Sequence, residues 1–193
     1  MRRRRHRRAG DAKVMAIDLV SRRARTISTD DTIAFTSAQF SPIDGRLYLP
    51  NFHGSLVSVT ADGHDPQVFF SGPVAGATMN PDDISFDTAG NLYITDTTGA
   101  QNPYWKPQGR HVRLEGHTAE ATGAGLRTAY PNGLAFTPGF EGLWVSHNTA
   151  NQIGYLRLSE DGREVMTAHP AIHVSGGGGQ VDSWQSTPTG TCM

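Results

Sequence analysis

Apolar and polar residues alternate along this chain in short runs separated by Gly, Pro, Asn and Asp, a period-two pattern that predicts many short strands and no long helix. Three runs are alike. Segments 38–49, 84–94 and 134–145 each carry an apolar stretch ending in Phe, a polar turn with Gly, then Leu, an aromatic residue and an aliphatic one. Their Phe40, Phe86 and Phe136 stand 46 and 50 positions apart, close to the length of one β-propeller blade of four antiparallel strands. Each copy predicts a hairpin. Ile84 and Phe86 on one strand share a core-facing side with Leu92 and Ile94 on the next, and the turn glycine supplies a positive φ. The repeated Phe, Leu and Tyr or Trp positions read as packing between stacked sheets. Further strands follow at 55–59 and 152–158, whereas 14–20 and 24–27 have the pattern of outer strands of a blade whose inner hairpin is absent. The expected fold is all-β, a partial β-propeller over 14–183 with about three complete blades near 28–72, 76–128 and 130–175. A basic disordered leader (1–13) precedes it and an irregular tail (184–193) follows.

Composition narrows the partners. Seventeen basic and 18 acidic residues nearly cancel, so no overall field draws the chain to nucleic acid or an anionic membrane. Residues 2–8 are basic apart from His6, but no apolar stretch follows as a secretion signal requires; they read as a solvated leader. No run approaches the roughly 18 apolar residues of a membrane span. The single Cys192 makes no internal disulfide, and a cytoplasmic location is the default. Oligomeric state is left open.

In a propeller, polar residues at the ends of the innermost strands surround a central channel, where a ligand collects several of them. Asn80–Asp83 precedes one hairpin, 130–133 precedes the next, and Asp182–Ser183 follows the glycine run 176–179 at the corresponding point of a further blade. Carboxylate, carboxamide and hydroxyl oxygens suit a hard cation such as Ca²⁺. Asp82 and Asn132 also suit turns, and Asn132 before Gly133 suits a left-handed residue. His53, His111, His147 and His173 show no triad or metal spacing and read as solvated loop histidines.

Residues 81–87, 91–99, 131–136, 143–145 and 148–153 resemble the gluconolactonase, senescence-marker and luciferin-regenerating family, nearest its drug-responsive bacterial lactonase branch. The likeness spans about 14–183 and is strongest over 80–158. It implies a six-bladed propeller that hydrolyses a small-molecule lactone at Ca²⁺ or another divalent cation. Asp82 (with Asp83 in reserve), Asn132, Asp182 and Ser183 are the implied cation ligands, and Asp182 is also the implied proton-transfer residue. The family's first-blade Glu has no counterpart here, so weak or absent turnover is expected of the chain as written. A frameshift near the Ser183 codon would account for the tail, which is unlike a blade. Segment 101–107 is a candidate rim for the substrate pocket. A non-catalytic propeller used for binding is the alternative; a strictosidine-synthase-like enzyme lacks this ligand pattern.

Overall fold

The computed structural model describes residues 12–30, 34–98, 105–116, 118–122, 126–175 and 181–183. The leader through residue 11, rim residues 101–104, the glycine run and the tail lie outside the described residues. An antiparallel pair, β1 (Ala12–Ile17) and β2 (Ala24–Asp30), comes first. Sheet I follows as β3 (Gln39–Phe40), β4 (Leu47–Asn51), β5 (Ser55–Val59) and β6 (Gln67–Ser71), hydrogen-bonded in chain order. After a small hairpin, β7 (Pro73–Val74) and β8 (Ala77–Thr78), sheet II is built from β9 (Pro81–Phe86), β10 (Leu92–Asp96), β11 (Gly109–Leu114) and β12 (Ala121–Thr122), with β13 (Arg127–Thr128) also on β11. Sheet III is β14 (Pro131–Phe136), β15 (Gly142–His147), β16 (Gln152–Leu158) and β17 (Val165–His173). Among the described residues the only helical turn is the 3₁₀ turn Asn148–Ala150. None is long and apolar enough to cross a membrane.

The alternation that predicts the hairpins also sets how the sheets stack. Ile84, Phe86, Leu92 and Ile94 lie in one buried cluster with Tyr48, Leu56 and Val112, which joins sheet II to sheet I. On the other side of sheet II, Tyr93 packs with Leu134, Phe136, Leu143 and Val145 of sheet III. The repeated aromatics lock successive sheets together. The Tyr of one repeat meets the Phe of the next edge-on, Tyr48 against Phe86 at 5.1 Å and Tyr93 against Phe136 at 4.8 Å between ring centroids, a geometry that adds about 0.5–1.5 kcal/mol to area burial. Phe40 departs from the expected core role: it is 53% exposed, because no aromatic of a preceding repeat lies against it and β3 is two residues long. The third turn also differs from expectation. Gly45 and Gly90 take the positive φ of their turns, but in sheet III Phe140 takes it, and Gly142 lies within β15, where a Cβ would fall 2.5 Å from Tyr155 Oη.

His111 and His147 are not solvated loop residues. They stand on β11 and β15 with ring centroids 6.3 Å apart, and His111 Nε2 is 3.1 Å from Thr128 Oγ1. Burial holds both imidazoles neutral, His111 down to about 3, with His147 as a lesser cause, and His147 down to about 4. Their unfolded-state value is 6.5. The stability they support is therefore complete above pH 6.5 and is lost as pH falls toward 4, at about 1.4 kcal/mol per pH unit for each histidine. Between pH 7.5 and pH 5 the unaltered chain is expected to lose more melting temperature than His111→Gln; equal losses would refute this assignment.

Candidate functional site

β9 and β14 open with the same irregularity. In sheet II, Ile84 pairs with Ile94 and Pro81 with Asp96, so Asp82 and Asp83 together face Thr95 alone. Sheet III repeats this, since Leu134 pairs with Val145 and Pro131 with His147, leaving Asn132 and Gly133 opposite Ser146. These are β-bulges, which re-aim side chains at strand ends. In each, a buried hydroxyl on the facing strand accepts the second bulge residue's amide: Asp83 N–H donates to Thr95 Oγ1 at 3.0 Å, and Gly133 N–H to Ser146 Oγ at 2.8 Å. Thr95 and Ser146 are fully buried. Thr95 Oγ1 also donates to the Asn132 carbonyl at 2.5 Å, which ties the two bulges together.

The bulges bring two of the predicted residues, Asp82 and Asn132, into contact. Asn132, buried, donates from Nδ2 to Asp82 Oδ2 at 3.1 Å across the sheet boundary. Asp83, the reserve candidate, does different work. Its Oδ1 accepts from Ser37 Oγ (2.5 Å) and the Ile84 amide (2.9 Å), and its Oδ2 from the Leu134 amide (3.1 Å). It is a staple between three segments. Burial raises the Asp83 carboxyl despite those donors. Asp82 has no such set of donors, and burial, followed by the charges of Asp182 and Asp83, pushes its carboxyl up to about 6. Asp182 thus lies close enough to act on Asp82, Asp83 and Tyr130. Both Asp182 and Ser183 are exposed.

Upstream of each bulge the chain is clamped. The Asn80 carbonyl accepts the Thr97 amide at 2.9 Å, and the Tyr130 carbonyl accepts the Asn148 amide at 3.0 Å. Asn80 is held further by its amide on Asp96 Oδ1 (2.8 Å) and its Nδ2 on the Phe52 carbonyl (2.9 Å). Asp96 is itself fully buried against Arg110. Sequence reasoning singled out Asp82 and Asn132 but missed Thr95, Ser146 and Arg110.

Asn132 Oδ1 is buried with no hydrogen-bond partner. An orphaned carboxamide oxygen beside two carboxylates that repel each other is a deficit of positive charge, and an oxygen-seeking divalent cation meets both needs. Asp82, Asn132 and Asp182 fit such a group. Among the described residues no three His, Cys, Asp or Glu side chains gather as a metal site, so the set depends on the carboxamide. Of the candidate rim, Trp105 is described and is largely exposed.

Residues 10–192 match the family model described as the SMP-30/Gluconolactonase/LRE-like region. The chain is similar to a lactonase drp35 of Staphylococcus saprophyticus, 32% identical over 124 residues, which cover 62% of this chain and 37% of that protein. In structure it is similar to a gluconolactonase from Xanthomonas campestris at TM-score 0.77 and 20% identity, covering 94% of this chain and 62% of that one. A calcium-binding regucalcin from Agrobacterium tumefaciens superposes at TM-score 0.71 and 14% identity over 94% of this chain and 59% of its own. The chain therefore spans under two thirds of these relatives.

Proposed function

Because this chain belongs to the SMP-30/gluconolactonase/LRE-like family, we propose that it carries the cation-holding strand ends of a lactone hydrolase, its three sheets being consecutive blades of a β-propeller. The observation that carries this reading is the orphaned Asn132 Oδ1 beside the destabilised Asp82 carboxyl; a pure binding scaffold needs neither. Asp82, Asn132 and Asp182 are the proposed ligands, with Ser183 as a further oxygen. When bound, Ca²⁺ supplies Lewis-acid polarisation of the lactone carbonyl. Asp182, which is exposed, takes the proton of the attacking water as the water oxygen bonds to the acyl carbon. It returns that proton to the ring oxygen as the acyl C–O bond breaks, releasing a hydroxycarboxylic acid. Asp83 and Thr95 hold the bulge that aims Asp82, and Ser146 does the same for Asn132.

The test is ring opening of a simple δ-lactone by this chain, with CaCl₂ and with chelator, beside Asp182→Asn. Turnover, weak if present, is expected to depend on the cation, because two of the proposed ligands, Asp82 and Asn132, meet at the ends of sheets II and III. Loss of one proton-transfer group lowers such rates by about 10²–10⁴-fold, so Asp182→Asn should fall to background. Turnover that survives chelator or the substitution overturns the assignment.

A further inference from the structure

At the Asn132 end of sheet III one row of residues, Pro131, His147, Gln152 and His173, is paired in register across all four strands. Side chains of such a row share a face. For His147 it is the face that Val145, two residues earlier on β15, turns toward Tyr93 of sheet II. Between this row and sheet II opens a cavity of about 530 Å³, lined by Arg127 and Thr128 of β13 and by His147, Thr149, Gln152 and His173. Small-molecule sites run to roughly 300–1,000 Å³. The wall is held in place from behind. The His147 ring lies across Gly154, where a Cβ would fall 2.6 Å from Nε2, so a larger residue there would displace the imidazole. Buried His111 fixes Thr128, Nε2 to Oγ1 at 3.1 Å, and Arg127 gives Nη1 to the Gln108 carbonyl at 3.0 Å. Two of the lining residues also carry buried polar atoms with no partner, His147 Nδ1 and Thr149 Oγ1, and orphaned groups of this kind call for one.

The chemistry of the wall selects its guest. Arg127 is a permanent cation, and among the described residues no Asp or Glu lines the cavity, so a carboxylate meets a charged donor and no repulsion. The other polar groups, two imidazoles, two hydroxyls and a carboxamide, are more than one carboxylate uses, and they suit hydroxyl groups, which both donate and accept. We propose that this cavity binds a small hydroxycarboxylate: the Arg127 guanidinium holds the carboxylate, and Thr149, Gln152 and His147 bond the hydroxyl end, with the Thr149 hydroxyl gaining its missing partner by rotation about χ1. The cavity is distinct from the proposed cation group, since neither Asp82, Asn132 nor Asp182 lines it. It adjoins that group because Pro131 links the row to Asn132. Lactone ring opening releases an acid of this class, so a role as the product's site rests on the lactonase reading, whereas binding of the acid does not.

The test is a proton-NMR titration of the whole chain with 5-hydroxypentanoate at pH 7.5, following the imidazole C–H resonances of His147 and His173, each assigned by its substitution with Gln. Both resonances should shift saturably and with one dissociation constant, in chelator as in calcium. The neutral isostere 5-hydroxypentanamide should bind at least tenfold more weakly. Arg127 is exposed, so Arg127→Gln should leave the melting temperature unchanged while weakening the acid about three- to tenfold, the worth of one solvent-screened charged hydrogen bond. Thr149→Val should weaken it by a similar factor. Absence of saturable shifts, equal affinity for the amide, or unaltered affinity in both variants overturns the proposal. So does binding that requires calcium, which would seat the acid on the cation group, and so does equally tight binding of inorganic sulfate, which would make this a general anion patch. Failure of the lactonase reading is told apart by the chelator arm: a chain that opens no lactone yet binds the acid there keeps the cavity and loses only the product role.

Discussion

Arg110→Ala is expected to lower folding stability by about 3–5 kcal/mol, the cost of removing one partner from a buried ion pair, and so to unfold much of the chain at ordinary temperature. Arg110 and Asp96 are wholly buried and in contact. The guanidinium gives Nε to Asp96 Oδ2 at 2.6 Å, Nη1 to the Val74 carbonyl at 2.5 Å and Nη2 to the Ala77 carbonyl at 3.3 Å. Asp96 accepts from the Asn80 and Thr98 amides and the Thr98 hydroxyl. This one pair pins the β7–β8 hairpin and the entry to β9, so its loss reaches Asp82 through Asn80. Removing both charges leaves no lone buried ion. The double variant Arg110→Met, Asp96→Leu should recover about 1–2 kcal/mol relative to Arg110→Ala, although it strands the Asn80 and Thr98 amides. Urea denaturation of the three proteins checks this; an Arg110→Ala loss under about 1 kcal/mol would mean that water reaches the pair.

Much of this was legible in the sequence, for identifiable reasons. Alternation fixes which side chains share a face, and Ile84, Phe86, Leu92 and Ile94 do fall in one cluster. Recurrence of a polar residue after Pro in two copies placed Asp82 beside Asn132, because equivalent positions of adjacent sheets meet at the same end. The bulges were not read, although two adjacent polar residues before Ile84 and a glycine inside β14 are their signals. Asp96 and Arg110 were illegible as a pair. Directly opposed strand positions are revealed only by register, and burial of a salt bridge is decided by the hairpin that closes over it. Phe40 is exposed for a related reason, since a repeat position is buried by its neighbour, not by its own pattern. The positive φ of Tyr130 had no sequence signal, because Tyr-Pro favours extended structure.

Calcium should raise the melting temperature of the unaltered chain and leave Asp82→Asn nearly unmoved, while in chelator the order reverses and Asp82→Asn is the more stable protein. The Asp82 carboxyl is raised to about 6 from 3.8 by burial and by Asp182 and Asp83. A carboxyl raised on folding favours the native state when protonated, so its contribution is complete below pH 3.8 and is lost as pH rises through about 6. At pH 7.5 the chain without cation therefore bears the full penalty of an ionised, crowded Asp82. Asn removes that charge and still offers an oxygen to the Asn132 amide, so it relieves the penalty; at pH 4 the two proteins should differ little. A bound cation offsets the same repulsion and adds coordination to Asn132 Oδ1, giving about 2.7 kcal/mol at a calcium concentration one hundred times Kd. Asp82→Asn has forfeited a ligand and has less repulsion to relieve, so its gain is small. Melting curves at pH 7.5 and pH 4, each with calcium and with chelator, separate the terms. A carboxylate kept for packing would make Asp82→Asn less stable in chelator, and a calcium shift that survives the substitution would show that the ion binds elsewhere.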